Sequence, residues 1–150
     1  MDWLKVLIVS ALPISELRGG IPLALYLGFD PLKAYIFSIL GNLLPVPFLL
    51  IFLDFIERVA LRSPLSRLYI KIVERTRRKR DLIEKYGYLG LSIFVAIPLP
   101  VTGAWTGSLL AFLLGLNRTK SFVFIALGVA IAGIIVLASS LGVFSVIGNS

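Results

Sequence analysis

A chain of 150 residues that is 58% hydrophobic and 15% charged, with a mean hydropathy of +0.97, is too apolar to hide its side chains in a water-soluble core of this size. The absence of cysteine and histidine excludes disulfides, thiolate nucleophiles, imidazole bases and the usual zinc or haem ligand sets, so neither an enzyme nor a metal or other cofactor is expected. The net charge of +7 is concentrated in Asp54 to Lys85, whose ten basic and five acidic residues contribute +5 of it.

Met1 to Lys5 lack the basic start and small-residue cleavage site of a removable signal, so the N-terminus is expected to be retained. Two uncharged runs follow, Val6 to Ser15 and Gly19 to Phe29, on either side of Glu16 and Arg18. Each is about half of the roughly 20 residues that a bilayer crossing needs, which predicts a broken, re-entrant helical hairpin with its break at Pro13. Ala34 to Leu53 has the length of one crossing helix, expected over 31–54 with a kink from Pro45 and Pro47.

The basic stretch that follows predicts one long amphipathic helix on the cytoplasmic membrane surface, with Leu65, Leu68, Tyr69, Ile72 and Val73 on one face. Arg75, Arg77, Arg78, Lys79 and Arg80 are expected to contact anionic headgroups, as a topology signal and lipid anchor and not as a nucleic-acid site. Tyr86 to Asn117 is uncharged but interrupted by Pro98, Pro100 and Gly103, which predicts a second broken hairpin. Ser121 to about Gly142 fits the second crossing helix, expected over 119–142.

The two hairpin-plus-helix units resemble each other. At an offset of 87, Leu12 to Gly41 align without a gap on Leu99 to Gly128, and 11 of the 30 pairs are identical, including Pro13/Pro100, Gly20/Gly107, Gly28/Gly115 and Gly41/Gly128. Composition alone would produce roughly 3. Gly28-Phe29-Asp30 and Gly115-Leu116-Asn117 each supply a glycine to end one helix and an Asp or Asn to start the next. A hairpin returns to its own side, so each copy crosses once and the second is inverted. The expected architecture is therefore an all-α, multi-pass integral protein of the cell membrane forming a single domain. Repeat 1 spans 4–54, the cytoplasmic linker helix 55–85 and repeat 2 86–142.

Irregular backbone at membrane depth is tolerated only where protein or a wet cavity shelters it, so the two breaks are expected to share one cavity. Glu16 and Arg18 are the charged residues nearest that depth, where each costs about 2.5–3.5 kcal/mol on the lenient insertion scale. Glu16 is assigned to bind and release a proton or cation, and Arg18 to hold an anionic substrate group. Ser15, Thr102 and Thr106 are candidates for donating hydroxyls to a ligand, with helix capping as the alternative. Trp105 is a candidate to stack on a ligand or gate the pocket, with buried packing as the alternative, while Pro13, Pro98 and Pro100 shape the breaks. Gly19, Gly20, Gly41, Gly103, Gly107 and Gly128 are read as close-approach positions between helices, and Asn42 as a donor or acceptor between them.

Glu16-Leu-Arg-Gly-Gly-Ile-Pro22 and Pro98-Leu-Pro-Val-Thr-Gly-Ala-Trp-Thr-Gly107 resemble the two signature segments of the small multidrug export protein family. That family in turn is similar to the DedA and VTT-domain superfamily. The DedA resemblance implies two facing re-entrant hairpins, a functional acidic residue at Glu16 and a pocket proline at Pro98. The sequence departs from the DedA pattern at Ala96, Ile97 and Val101, where arginines flank that proline in the superfamily. The leading expectation is an ion-coupled, proton-driven secondary transporter or flippase moving an anionic, lipid-phosphate-type amphiphile. The alternatives are export of cationic amphiphiles and a non-transporting membrane scaffold. Membrane lipids, the amphiphilic substrate, protons or cations, and a second copy in a homodimer are the expected partners, with no nucleic acid.

Overall fold

The computed structural model describes residues 1–77, 85–98 and 103–148, and among these every regular element is helical. The helices are α1 (Asp2–Ala11), α2 (Glu16–Tyr26), α3 (Pro31–Leu43), α4 (Pro45–Leu61), α5 (Ser66–Arg77), α6 (Tyr88–Ala96), α7 (Ala104–Leu113) and α8 (Arg118–Gly148). The chain is long and apolar enough to cross a membrane over Pro31–Leu53 and over Arg118–Gly148. Large apolar side chains face outward along these helices, among them Phe48, Ile51, Ile134 and Val146, the surface that lipid contact requires.

The turns that join α2 to α3 and α7 to α8 repeat each other hydrogen bond by hydrogen bond. Helix α2 ends at Gly28 and α7 at Gly115, both in the left-handed region (φ 90° and 66°). The amides two positions past each helix end close the turn, Phe29 N–H donating to Ala24 O and Leu116 N–H to Ala111 O. The next helix is then capped in the same way, with Asp30 Oδ2 accepting from Lys33 N–H (3.4 Å) and Asn117 Oδ1 from Lys120 N–H (3.0 Å).

Helix α1 folds back on α2, with Val6 packing near Ala24 and Ser10 against Gly20. Both helices pack on α3, where a Cβ on Gly41 would meet the Leu7 carbonyl oxygen at 2.6 Å. In the second half, α6 and α7 pack on α8 likewise, and a Cβ on Gly128 would meet the Ser92 carbonyl oxygen at 2.7 Å. Leu7 and Ser92 are 85 residues apart, not 87, as are Ser10 and Val95, which touch Gly41 and Gly128 respectively. Helices α1 and α6 end 85 residues apart as well. The second break is therefore two residues longer than the first. Counted from the preceding helix, the partner of Pro13 is Pro98; counted from the following helix, it is Pro100.

The halves share one core in which Leu17, Ile21 and Val46 meet Leu91, Phe94, Ile125 and Val129. Tyr35 Oη joins the two crossing helices by donating to Ala130 O (2.8 Å). The first crossing helix keeps the expected length over Pro31–Leu53, and its hydrogen-bond ladder is interrupted after Leu44, where Pro45 and Pro47 have no N–H to donate, as the expected kink requires. Two features differ from the sequence expectation, the linker and the end of the last helix. The linker is not one long helix. Ser63 Oγ donates to Ala60 O and accepts Leu65 N–H, and Pro64 cannot extend the ladder, so α4 and α5 are separate. Helix α8 runs on to Gly148, beyond the expected 142, since neither charge nor proline follows Lys120 to stop it.

Candidate functional site

Glu16 opens α2 with φ at +46°, among the described residues the sole non-glycine in the left-handed region. That conformation costs an L-residue roughly 1–2 kcal/mol, and its repeat partner, Gly103, is the residue type that would adopt it freely. Strain held at one buried acid is a pointer to use, because the fold must hold the residue there against an easier alternative. The side chain is 7% exposed. It crosses from the first half to the second, where Oε1 accepts the Trp105 N–H (3.3 Å) and the Ala104 N–H also faces the carboxylate. A carboxylate at a helix start satisfies amides that have no partner within the helix and meets the positive end of its dipole. Gly103 makes this contact possible, since a Cβ there would fall on the Glu16 carboxylate.

Trp105 adds a second tie between the halves, its indole N–H donating to Ala11 O (2.9 Å) at the end of α1. This tie accords with the packing alternative for Trp105, and Trp105 does not line the cavity described next. Ser15 occupies the N-cap of α2 without capping it; its hydroxyl instead donates back to Val9 O. Arg18 Nη2 donates to Ile14 O (2.9 Å) on the exposed side of the break. Pro13 is exposed in the turn, and Thr106 is half-buried in α7.

Beside the Glu16 carboxylate lies a cavity of about 20 Å³, large enough for a water molecule and far too small for a drug-sized ligand. Glu16, Arg18, Asn42 and Pro98 line it, together with small and aliphatic side chains. Three repeat-related pairs contribute, Glu16/Gly103, Leu17/Ala104 and Asn42/Val129. In each, the bulkier or more polar member comes from the first half. Asn42 is the site residue that sequence reasoning assigned only to helix contact. It is 2% exposed, and its Oδ1 has no hydrogen-bond partner among the described residues. An amide in an otherwise apolar crossing helix was the available signal.

The six glycines sit at close approaches. Gly19 and Gly20 meet α1, Gly107 meets Val95, and Gly41, Gly103 and Gly128 make the contacts already described. Pro100 and Thr102 lie outside the described residues, as do Arg78, Lys79 and Arg80. Arg75 and Arg77 belong to α5, with side chains outside the description. No group of three acidic, histidine or cysteine residues that could hold a metal occurs among the described residues.

The family model described as "Putative small multi-drug export protein" matches residues 16–135, starting at the buried acid and covering both halves. The chain belongs to this family. Among curated proteins and among solved structures, no match to the chain was found.

Proposed function

We propose that this protein is an ion-coupled exporter of cationic amphiphiles, with Glu16 as the carboxylate that protons and substrate occupy in turn. The observation that carries the reading is the buried Glu16 carboxylate, held by the start of α7 and bordering a cavity between the halves. Because a proton or a cation competes with the α7 amides for the same carboxylate, loading Glu16 loosens the tie between the two hairpins. Exclusive occupancy of one acid by proton or substrate gives exchange of one for the other; the family description supports small multi-drug export, and the carboxylate is what favours a cationic substrate.

An anionic lipid phosphate has less support. The α7 amides that an anion would seek are engaged by the protein's own carboxylate, and the Arg18 guanidinium is bonded to Ile14 O. The cavity in this arrangement admits only water or a small ion, so substrate entry requires the hairpins to part.

The proposal places the chain in the cell membrane as a multi-pass protein with residues 55–85 cytoplasmic. Helices α1 and α2 have 10 and 11 residues, only ~15–17 Å at the helical rise and half of the ~30 Å hydrocarbon core. They are read as a hairpin that enters and leaves on one side, with α6 and α7 doing the same from the other. One crossing per copy inverts the second half, and this is the arrangement that the resemblance to DedA proteins implies. The duplicated turns and caps support descent of both halves from one unit.

The test is dye export from proteoliposomes under an imposed pH gradient, with an anionic lipid analogue assayed in parallel. Glu16→Gln at matched reconstitution is expected to lower cationic dye transport at least tenfold, and Arg18→Gln to lower it less. Unchanged rate and unchanged pH dependence in Glu16→Gln would end this assignment.

A further inference from the structure

A serine in an apolar helix ordinarily gives its hydroxyl to a carbonyl of its own helix or of a neighbour, and Ser108, Ser139 and Ser92 do so, donating to Ala104 O, Ile135 O and Phe124 O. Ser10 and Ser38 do neither, and their hydroxyls lack a partner among the described residues, as does Asn42 Oδ1. All three side chains are buried. A buried polar oxygen left unpaired weakens folding by a factor of roughly 5–150, so three of them in one place need a reason.

They form a single file. A Cβ on Gly20 would overlap Ser10 Oγ and meet Ser38 Oγ at 3.1 Å, which puts the two hydroxyls within reach of one bridging water. Ser38 and Asn42 follow one helical turn apart on the buried face of α3, and Asn42 lines the cavity that Glu16 borders. The junction itself does not demand polarity. Gly107, the repeat partner of Gly20, is met by Val95 and Ile125, which stand where Ser10 and Ser38 stand in the first half, and Val129 takes the place of Asn42. The same packing thus closes with aliphatic side chains in one half and with unpaired oxygens in the other.

We propose that Ser10, Ser38 and Asn42 are the wet wall of the passage through which water-borne protons reach Glu16 as the hairpins part. A hydroxyl both donates and accepts and an amide oxygen accepts, so the file suits a chain of hydrogen-bonded waters and needs no charge of its own. The charged residues lining the cavity are Glu16 and Arg18, and neither belongs to the file. Polar side chains at membrane depth face water-filled interiors, where water supplies the bonds that hydrocarbon cannot. The inference rests on Glu16 as the coupling carboxylate and names the side from which it is served, the α3 face of the first half and not the aliphatic α8 face of the second.

Cysteine accessibility in proteoliposomes tests the wall without any transport step, in a chain with no cysteine of its own. Ser38→Cys and Asn42→Cys are compared with Ile125→Cys and Val129→Cys at the repeat-related positions. All four residues are at most 2% exposed, so burial alone predicts equal protection. With a charged methanethiosulfonate on both sides of the membrane and the mass of the intact protein as readout, the first pair is expected to react at least tenfold faster than the second. Equal rates in the two pairs, fast or slow, overturn the proposal, as does protection of either Ser38→Cys or Asn42→Cys at the level of its partner. A second measurement is dye export by the double variant Ser38→Ala, Asn42→Val, which keeps Glu16 and the α7 amides and installs side chains that need no partner. Its kcat should fall at least fivefold while the dye KM stays within twofold, and an unchanged kcat in the folded variant also overturns the proposal. If the thiol contrast holds while Glu16→Gln exports normally, the wet wall stands and the export assignment falls. If Glu16→Gln abolishes dye export while the four thiols react alike, the wall falls and proton-coupled export stands.

Discussion

Replacing Gly103 with alanine should separate the two halves of the molecule at their central electrostatic contact. Gly103 has φ −83° and ψ −169°, an extended conformation open to any residue, so the substitution carries no backbone strain of its own. Its cost comes from the new Cβ, which would overlap the Glu16 carboxylate and force it away from α7. Losing the hydrogen bond from Trp105 N–H removes a charge-assisted bond worth about 1.5–3 kcal/mol. Leaving the helix start without its anion removes roughly 0.5–1 kcal/mol more. A total near 2–4 kcal/mol corresponds to a fall in Tm of roughly 5–15 °C for a chain of this size. Thermal unfolding in detergent reads the effect, and a double-mutant cycle isolates its cause. In a Glu16→Ala background the added methyl meets no carboxylate, and its cost should shrink to within about 0.5 kcal/mol of zero. If Gly103→Ala costs as much in that background as it does beside the natural glutamate, the Glu16 contact is not what Gly103 protects.

The duplicated turns yield a matched pair. Gly28→Ala and Gly115→Ala each force an L-residue into the left-handed region, and each should lower stability by about 1 kcal/mol, with similar losses because nothing stands within 4 Å of either added Cβ. Thermal unfolding of both variants checks it, and a loss confined to one would show that the turns are not equivalent. Gly41→Val and Gly128→Val should be far costlier, each by roughly 2–4 kcal/mol, because the first added atom meets backbone of α1 or α6 that cannot step aside. Expression yield and unfolding temperature report this, and near-normal stability in either would contradict the close helix approach. Single cysteines placed near the N-terminus and in α5, in a chain with none of its own, should label from opposite sides of the membrane with an impermeant maleimide. Labelling of both from the cytoplasm would reject inverted halves and leave the fold to be read as a parallel duplication.

Much of the architecture lay in local signals. Runs of 10 and 11 uncharged residues cannot cross a bilayer as single helices, and Pro13, Gly28 and Asp30 mark ends and starts by rules that act within a few residues. The repeat was visible because those same signals recur 87 residues later. What lay beyond sequence reach was spatial. The offset changes to 85 in α1 and α6, because the two residues added to the second break are absorbed in a segment that local patterning does not constrain. Glu16 and Arg18, two positions apart, looked alike as rare charges at depth, yet one turns inward to α7 and the other outward to Ile14 O. That choice is set by Gly103, 87 residues away, whose missing side chain leaves room for a carboxylate. Asn42 was legible as a polar residue in an apolar helix, but only the packing of α3 against both hairpins brings it to the wall of the Glu16 cavity. Sequence thus determined where helices begin and end, because those are matters of nearby dihedrals and hydrogen bonds. Tertiary structure decided which groups share a buried volume, because burial depends on residues that the chain brings together from far apart.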